Sequence, residues 1–406
     1  MQPQPWTFFL KIFATITLIQ TLLNQHSISE ASKITSFPGQ PKVKFQQYSG
    51  YIAVDERQKR ALFYYFVEAE TDPSSKPLGL AVHLLELELS VNMDPLNQVE
   101  TFSLRMIIVG IKSPAGVGFS YSANQSFYTE VNDEKTAQDN LVFLKKWFIQ
   151  FPKYKNRELF ITGENYAGQY VPQLAQLIVQ SKAHINLKGI AIGNPLLEFD
   201  TDFNSRAEFI WSHGLISDST YELATKGEAS KEMSHYIGEY DVILDVCLSS
   251  VLARSAVLNK LEDRAKIDVC VEDETVKYLN RKDVQKAFHA ELIGVRQWTG
   301  CSDVIEYDTR NLEIPTIHVL GALVKSGIRV LVYSGDQDSV LPLTGSRTLV
   351  TGLAKELKLN ETVPYRAWFL KENRLLAGHR CMVTFYLMPP LKELLMKLHF
   401  HIQRDL

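Results

Sequence analysis

The chain has 406 residues, 45% of them hydrophobic and 22% charged, with a formal net charge of −3 at neutral pH. That length and apolar content suffice for a substantial core, in one large domain with an insertion or in two domains. The balanced charge, and the absence of any Arg/Lys run interleaved with aromatics, argue against nucleic acid as a partner.

Residues 1–30 differ from the rest. From Trp6 to Leu23 the chain is apolar apart from Lys11 and several Thr and Gln; polar Asn24 to Ser27 and small residues between Ser29 and Ser32 follow. That layout predicts a secretory signal peptide, with a membrane anchor as the other reading. Lys11 and the polar interruptions make a poor permanent span, and no later stretch is long and apolar enough to cross a bilayer, so no stable membrane association is expected. Residues 31–406 then form the mature domain.

In the mature chain, "RALFYYFVEAE" (60–70) is rich in aromatic and β-branched residues and reads as a strand. The strand after Lys76 and Pro77 falls to "LGLAVHLLELELSV", whose Leu85-Glu86-Leu87-Glu88-Leu89 alternation suits a half-buried edge and not the middle of a parallel sheet. Further strands are expected at 106–114, 158–164, 187–195 and 327–338. Helical patterns cover Asp133 to Gln150, Tyr170 to Lys182 and Thr344 to Lys358. Apolar strands alternating with amphipathic helices imply an α/β fold, a mostly parallel sheet with helices on both faces. Residues 200–300 break the rhythm. They are charged and read as a cap-like insertion over the carboxyl edge of the sheet, where the functional crevice of such folds lies.

The stretch "ITGENYAGQY" (161–170) has the strand, small-residue turn and helix of a nucleophile elbow, with Asn165 where Ser is expected. In an oxidising compartment Cys247 and Cys270 form the natural local disulfide, which leaves Cys301 and Cys381 without an assigned partner. Asn124 and Asn360 head glycosylation sequons. No HExxH or paired CxxC marks a metal site, His399 and His401 read as solvent-facing, and no cofactor is implied.

Several segments together resemble the serine carboxypeptidases, specifically the plant serine carboxypeptidase-like proteins. They are residues 37–78, "SPAGVGFSYSANQSF" (113–127), the run from Asn132 through the elbow, "KGIAIGNPLLEFDTDFNSRAEFIWSHGLISD", "DVCVEDETVKYLNRKDVQKAFHA" and "VLVYSGDQDSVLPLTGSR". The resemblance implies an α/β-hydrolase fold, a secreted or vacuolar destination, and release of C-terminal amino acids from peptides by a Ser-Asp-His triad, with acyl transfer in some relatives. Its partners would be peptide C-termini. It assigns the triad acid to Asp338, contact with the substrate carboxylate to Glu164, and one oxyanion donor to the Tyr166 N–H.

The departures fall on the chemistry. The family elbow Gly-Glu-Ser-Tyr-Ala-Gly has Asn165 here. Its Trp-Leu-Asn-Gly-Gly-Pro-Gly-Cys-Ser-Ser loop has no counterpart after residue 78, which removes the second oxyanion donor and the partner expected for Cys301. Its histidine segment is reduced to "AGHRC", where His379 stands only 41 positions after Asp338. An amide nitrogen is delocalised into its carbonyl and cannot replace the hydroxyl. The expected protein is therefore a partly degraded, catalytically inactive relative. The alternatives are an active carboxypeptidase or acyltransferase hidden by a faulty gene sequence, and a pseudoenzyme that only binds peptides.

Overall fold

The computed structural model describes residues 32–82, 106–181, 183–225, 237–238, 241–245, 271–290, 292–293, 297–308, 314–361 and 382–387. In chain order its strands are β1 (Lys33–Ile34), β2 (Gln47–Asp55), β3 (Arg60–Val67), β4 (Leu78–Val82), β5 (Ile107–Ile111), β6 (Tyr121–Ser122), β7 (Leu159–Glu164), β8 (Leu187–Gly193), β9 (Ile237–Gly238), β10 (Asp241–Asp245), β11 (Arg329–Gly335) and β12 (Met382–Leu387). The main sheet runs β1-β2-β3-β5-β4-β7-β8-β11-β12, with β6 beside β3. Pairing is parallel from β5 through β11 and antiparallel at both ends. The sequence signals that called for a mostly parallel α/β sheet produce one.

Strand β3 shows how the two-residue period builds two cores. Leu62, Tyr64 and Phe66 enter the larger cluster with Trp147 and Phe151. Phe63, Tyr65 and Val67 point the other way, into a second cluster with Phe119, Phe288 and Trp298. Residues of 276–298 thus pack on the sheet through Leu279, Val284 and Phe288.

The strand after Pro77 corrects an expectation. It is Leu78–Val82, every residue buried, and it lies between β5 and β7 in the middle of the sheet. Its sequence, LGLAV, is apolar on both faces, as a central parallel strand must be. The Leu85 to Leu89 alternation lies outside the described residues.

Helix α1 (Asp133–Gln150) has the predicted bounds. Asn132 caps it by accepting from the Lys135 N–H at 2.9 Å, and Phe151-Pro152 ends it. Its buried Ala137, Asn140, Phe143, Leu144 and Trp147 recur at three- and four-residue spacing. Helix α2 (Ala167–Gln180) buries Val171, Leu174, Ala175 and Ile178 against the sheet, each worth about 1.5–3 kcal/mol for the large apolar side chains. Pro172 lies inside α2 and lacks the N–H that would bond the Gly168 carbonyl; the Thr316 hydroxyl donates to that carbonyl instead, at 2.9 Å. After β8 come α3 (Phe199–Ser212), α4 (Asp218–Thr225), α5 (Val271–Leu279), α6 (Lys282–Ala287), α7 (Ile317–Lys325) and α8 (Leu343–Glu356).

Candidate active site

Parallel pairing brings the carboxyl ends of β4, β7, β8 and β11 level. Val82 pairs with Gly163, Glu164 with Gly193, and Gly193 with Tyr333. The turns that leave β7, β8 and β11 therefore lie side by side, and they carry Asn165, Asn194 and Asp338.

The turn after β7 is a genuine elbow. Asn165 has φ +57°, in the left-handed region, and α2 begins two residues later. The Asn165 N–H donates to the Gly193 carbonyl at 3.0 Å. The Asn165 carbonyl accepts from Gly168 N–H at 3.0 Å and from Leu196 N–H at 3.1 Å. Strand and helix approach so closely that side chains on the flanking glycines have no room. A Cβ on Gly163 would meet the Ala167 Cβ at 2.4 Å, and one on Gly168 would meet the Leu196 carbonyl oxygen at 2.5 Å. The half-buried Asn165 thus stands at the apex with a carboxamide and no hydroxyl.

Tyr166 follows at the start of α2, where the first N–H groups have no intrahelical acceptor and are available to an oxyanion. Its side chain is held by a cluster that sequence reasoning missed. The Tyr166 hydroxyl donates to Asp133 Oδ1 at 3.1 Å, and the Tyr307 hydroxyl makes a second, short bond to the same oxygen. The Tyr170 and Tyr307 rings pack on Tyr166 at 5.0 and 5.8 Å between centroids. Burial pushes the Asp133 carboxyl up, against the lowering effect of the two phenols. Asp133 was legible only as an ordinary acidic residue in a helix's first turn.

Glu164 ends β7, half-buried. Over the neighbouring Gly193 lies the Tyr333 ring, whose phenol is pushed up by burial first and by the Glu164 charge second. Asp338 sits in the turn after β11 and is 8% exposed. Its Oδ1 accepts from Val340 N–H at 2.7 Å and from Leu341 N–H at 3.1 Å. Burial raises its carboxyl to about 6, with the Glu164 charge adding to that; the two N–H groups and Arg206 act in the opposite sense. Asp336 lies two residues earlier, at the end of the strand, and Asp338 is the buried member of the pair.

The elbow and the acid turn thereby leave β7 and β11, the two strands that flank β8. His379, Cys247, Cys270 and Cys381 lie outside the described residues, as do the leader segment 1–30 and residues 83–105. Cys301 is an exposed free thiol. Asn124 and Asn360 are both exposed. Among the described residues no three His, Cys, Asp or Glu side chains gather as metal ligands, and no helix is long and apolar enough to cross a membrane.

The model of the serine carboxypeptidase family matches residues 38–80 and 104–384, a range that includes Asn165, Asp338 and His379. The match breaks off over 81–103, where the glycine-rich loop has no counterpart in this sequence. Serine carboxypeptidase-like 45 of Arabidopsis thaliana is 51% identical over 413 aligned positions, covering 91% of this chain and 88% of its own. Serine carboxypeptidase-like 46 of the same plant is 52% identical over 399 positions, covering 87% and 86%. Among solved structures, the prohormone-processing carboxypeptidase Kex1(delta)p of Saccharomyces cerevisiae superposes with a TM-score of 0.60 at 18% identity, over 80% of this chain and 82% of that one. That structural likeness speaks for the fold, an α/β-hydrolase architecture. The family match and the two plant relatives, set beside the elbow and the acid turn, make this chain a member of the serine carboxypeptidase family.

Proposed function

We propose that the chain is a secreted or vacuolar serine carboxypeptidase-like protein that does not hydrolyse peptides. One observation carries this reading: the elbow is intact in backbone and packing, yet its apex holds the Asn165 carboxamide. Losing the hydroxyl of a triad removes about 10⁶-fold in turnover. A missing oxyanion donor in the 83–105 stretch would cost a further 10² to 10³, roughly. The direct test is hydrolysis of a blocked dipeptide between pH 4 and 7 by the purified chain beside an Asp338→Ala control. Equal, background rates are expected. A rate that Asp338→Ala abolishes would restore the active reading.

A second reading, binding of peptide C-termini without turnover, is favoured by Glu164. This carboxyl stands at the crevice end of β7 beside the elbow, the position the family uses against a substrate carboxylate. Calorimetric titration with a blocked dipeptide and with its C-terminal amide checks it. Binding of the free acid that Glu164→Gln changes is the expected signature, and equal affinity for acid and amide would count against it. The secretory assignment rests on the leader composition and the sequons. Asn124 is exposed at the start of a short 3₁₀ turn, where its Oδ1 accepts from the Ser126 hydroxyl at 2.9 Å. A glycan on Asn124, a cleaved leader and a Cys247–Cys270 disulfide are the modifications this route implies, all readable by peptide mass mapping.

A further inference from the structure

The turn leaving β8 carries a residue to which neither the sequence motifs nor the family assignment gave a task. Asn194 is 7% exposed and has φ +35°, a left-handed backbone that Asn tolerates better than most residues. Both ends of its amide are used. Its Oδ1 accepts from Gly335 N–H at 3.1 Å, and its Nδ2 donates to the Leu341 carbonyl at 3.2 Å. Gly335 and Leu341 are the two ends of the turn that contains Asp338. The same Leu341 gives its N–H to the Asp338 carboxylate. The Asn194 N–H donates to the Tyr333 carbonyl at 2.8 Å, which fixes the clamp to β11 itself. Two residues on, Leu196 gives its N–H to the Asn165 carbonyl and takes the Gln169 side-chain amide at 3.2 Å. A short stretch, 194–196, therefore touches the acid turn with one end and the elbow with the other.

We propose that Asn194 is a positioning residue: its side chain closes the 335–341 turn and holds the Asp338 carboxyl in its buried place beside the elbow. The clamp acts on Asp338 whether or not Asn165 permits turnover. Without the amide, Gly335 N–H and the Leu341 carbonyl lose their shared partner and the turn can open to water. Hydration favours the charged form of a carboxyl, so Asp338 then becomes a stronger acid. Among the described residues, the charged groups that act on it are Glu164 on β7 and Arg206 on α3.

The test is the titration midpoint of the Asp338 carboxyl carbon, followed by NMR in the full chain labelled at aspartate and assigned by its loss in Asp338→Asn. Asn194→Gly keeps the left-handed backbone and removes only the clamp. The midpoint is expected to fall from about 6 by about one unit, a tenfold rise in acid dissociation constant. Asn194→Asp keeps an acceptor for Gly335 but places a second anion at the turn, so the midpoint is expected to rise. A role confined to stability would move both variants the same way, or neither, and either result overturns the proposal. Should Asn194→Gly not fold, amide exchange in the unaltered chain decides. Strong protection of Gly335 N–H supports the clamp, and exchange at the rate of an open loop refutes it.

Discussion

At φ +57° the Asn165 backbone occupies a region that Asn enters several-fold more readily than most residues, and that a hydroxymethyl side chain gains nothing from. The carboxamide at the apex thus suits the turn. Asn165→Ser is expected to lower stability by about 0.5–1 kcal/mol, seen as a lower urea midpoint, because Ser bears the strain without the compensation. Its hydrolytic gain should remain below about 10³-fold, since triad members act as a unit and the sequence offers no glycine-rich loop to supply a second oxyanion donor. A larger gain that Asp338→Ala then removes would mean that the remaining groups are already assembled.

Helix α2 survives an interior proline because another element satisfies it. Pro172 leaves the Gly168 carbonyl without its helical donor, and Thr316, at the start of α7, supplies one. Thr316→Val should therefore cost about 1–3 kcal/mol, the penalty for an unsatisfied buried carbonyl. In a Pro172→Ala background, where the helix regains its own N–H, the same change should cost much less. Equilibrium unfolding of the four proteins of this cycle measures the coupling, and strict additivity would dissociate Thr316 from the proline. The elbow glycines belong to the same contact. Gly168→Ala would push a methyl to 2.5 Å from the Leu196 oxygen, so helix and turn must separate. A loss of several degrees in melting temperature is expected, whereas Gly352→Ala, exposed inside a helix and meeting nothing, should raise the melting temperature slightly.

For the molecule as a whole, two buried carboxyls set a pH dependence. Asp338 and Asp202 are both raised to about 6, in each case by burial first. Asp202 is 1% exposed and accepts from Leu197 N–H at 2.7 Å and Glu198 N–H at 3.0 Å, which lower it only partly. A carboxyl raised on folding binds its proton more tightly in the folded chain than in the unfolded one. The stability it contributes is thus full below its unfolded value of about 4 and is lost as pH rises through about 6. Each group can account for up to about 3 kcal/mol across that window. Melting at pH 4.5 should exceed melting at pH 7.5, and Asp202→Asn or Asp338→Asn should each flatten the difference. A protein equally stable at both pH values would show that these groups are not buried as described.

Much of this was readable from residue order alone. The β-branched and aromatic runs located β3, β5, β7, β8 and β11 to within a few residues, and the period of α1 gave both of its ends, because local pattern and local propensity agree there. Glycines flanking a polar apex announced the elbow, whose geometry is set by the six residues 163–168 and by the lack of room for a Cβ at Gly163 and Gly168. Tertiary structure alone decided the rest. Sequence made the strand after Pro77 a half-buried edge, yet Leu78–Val82 fills the middle of the sheet, since only partners on both sides reward a stretch apolar on both faces. Asp133 looked like a helix-start charge until Tyr166 and Tyr307 converged on it from 33 and 174 positions away. Asn194 fell at the end of the 187–195 strand pattern with no role of its own; its amide reaches across 141 and 147 positions of chain to the two ends of the acid turn. The residue types at the apex and in the acid turn were written in the sequence. Which distant groups bury, clamp and orient them is a property of contacts between segments remote in the chain, and no local pattern encodes it.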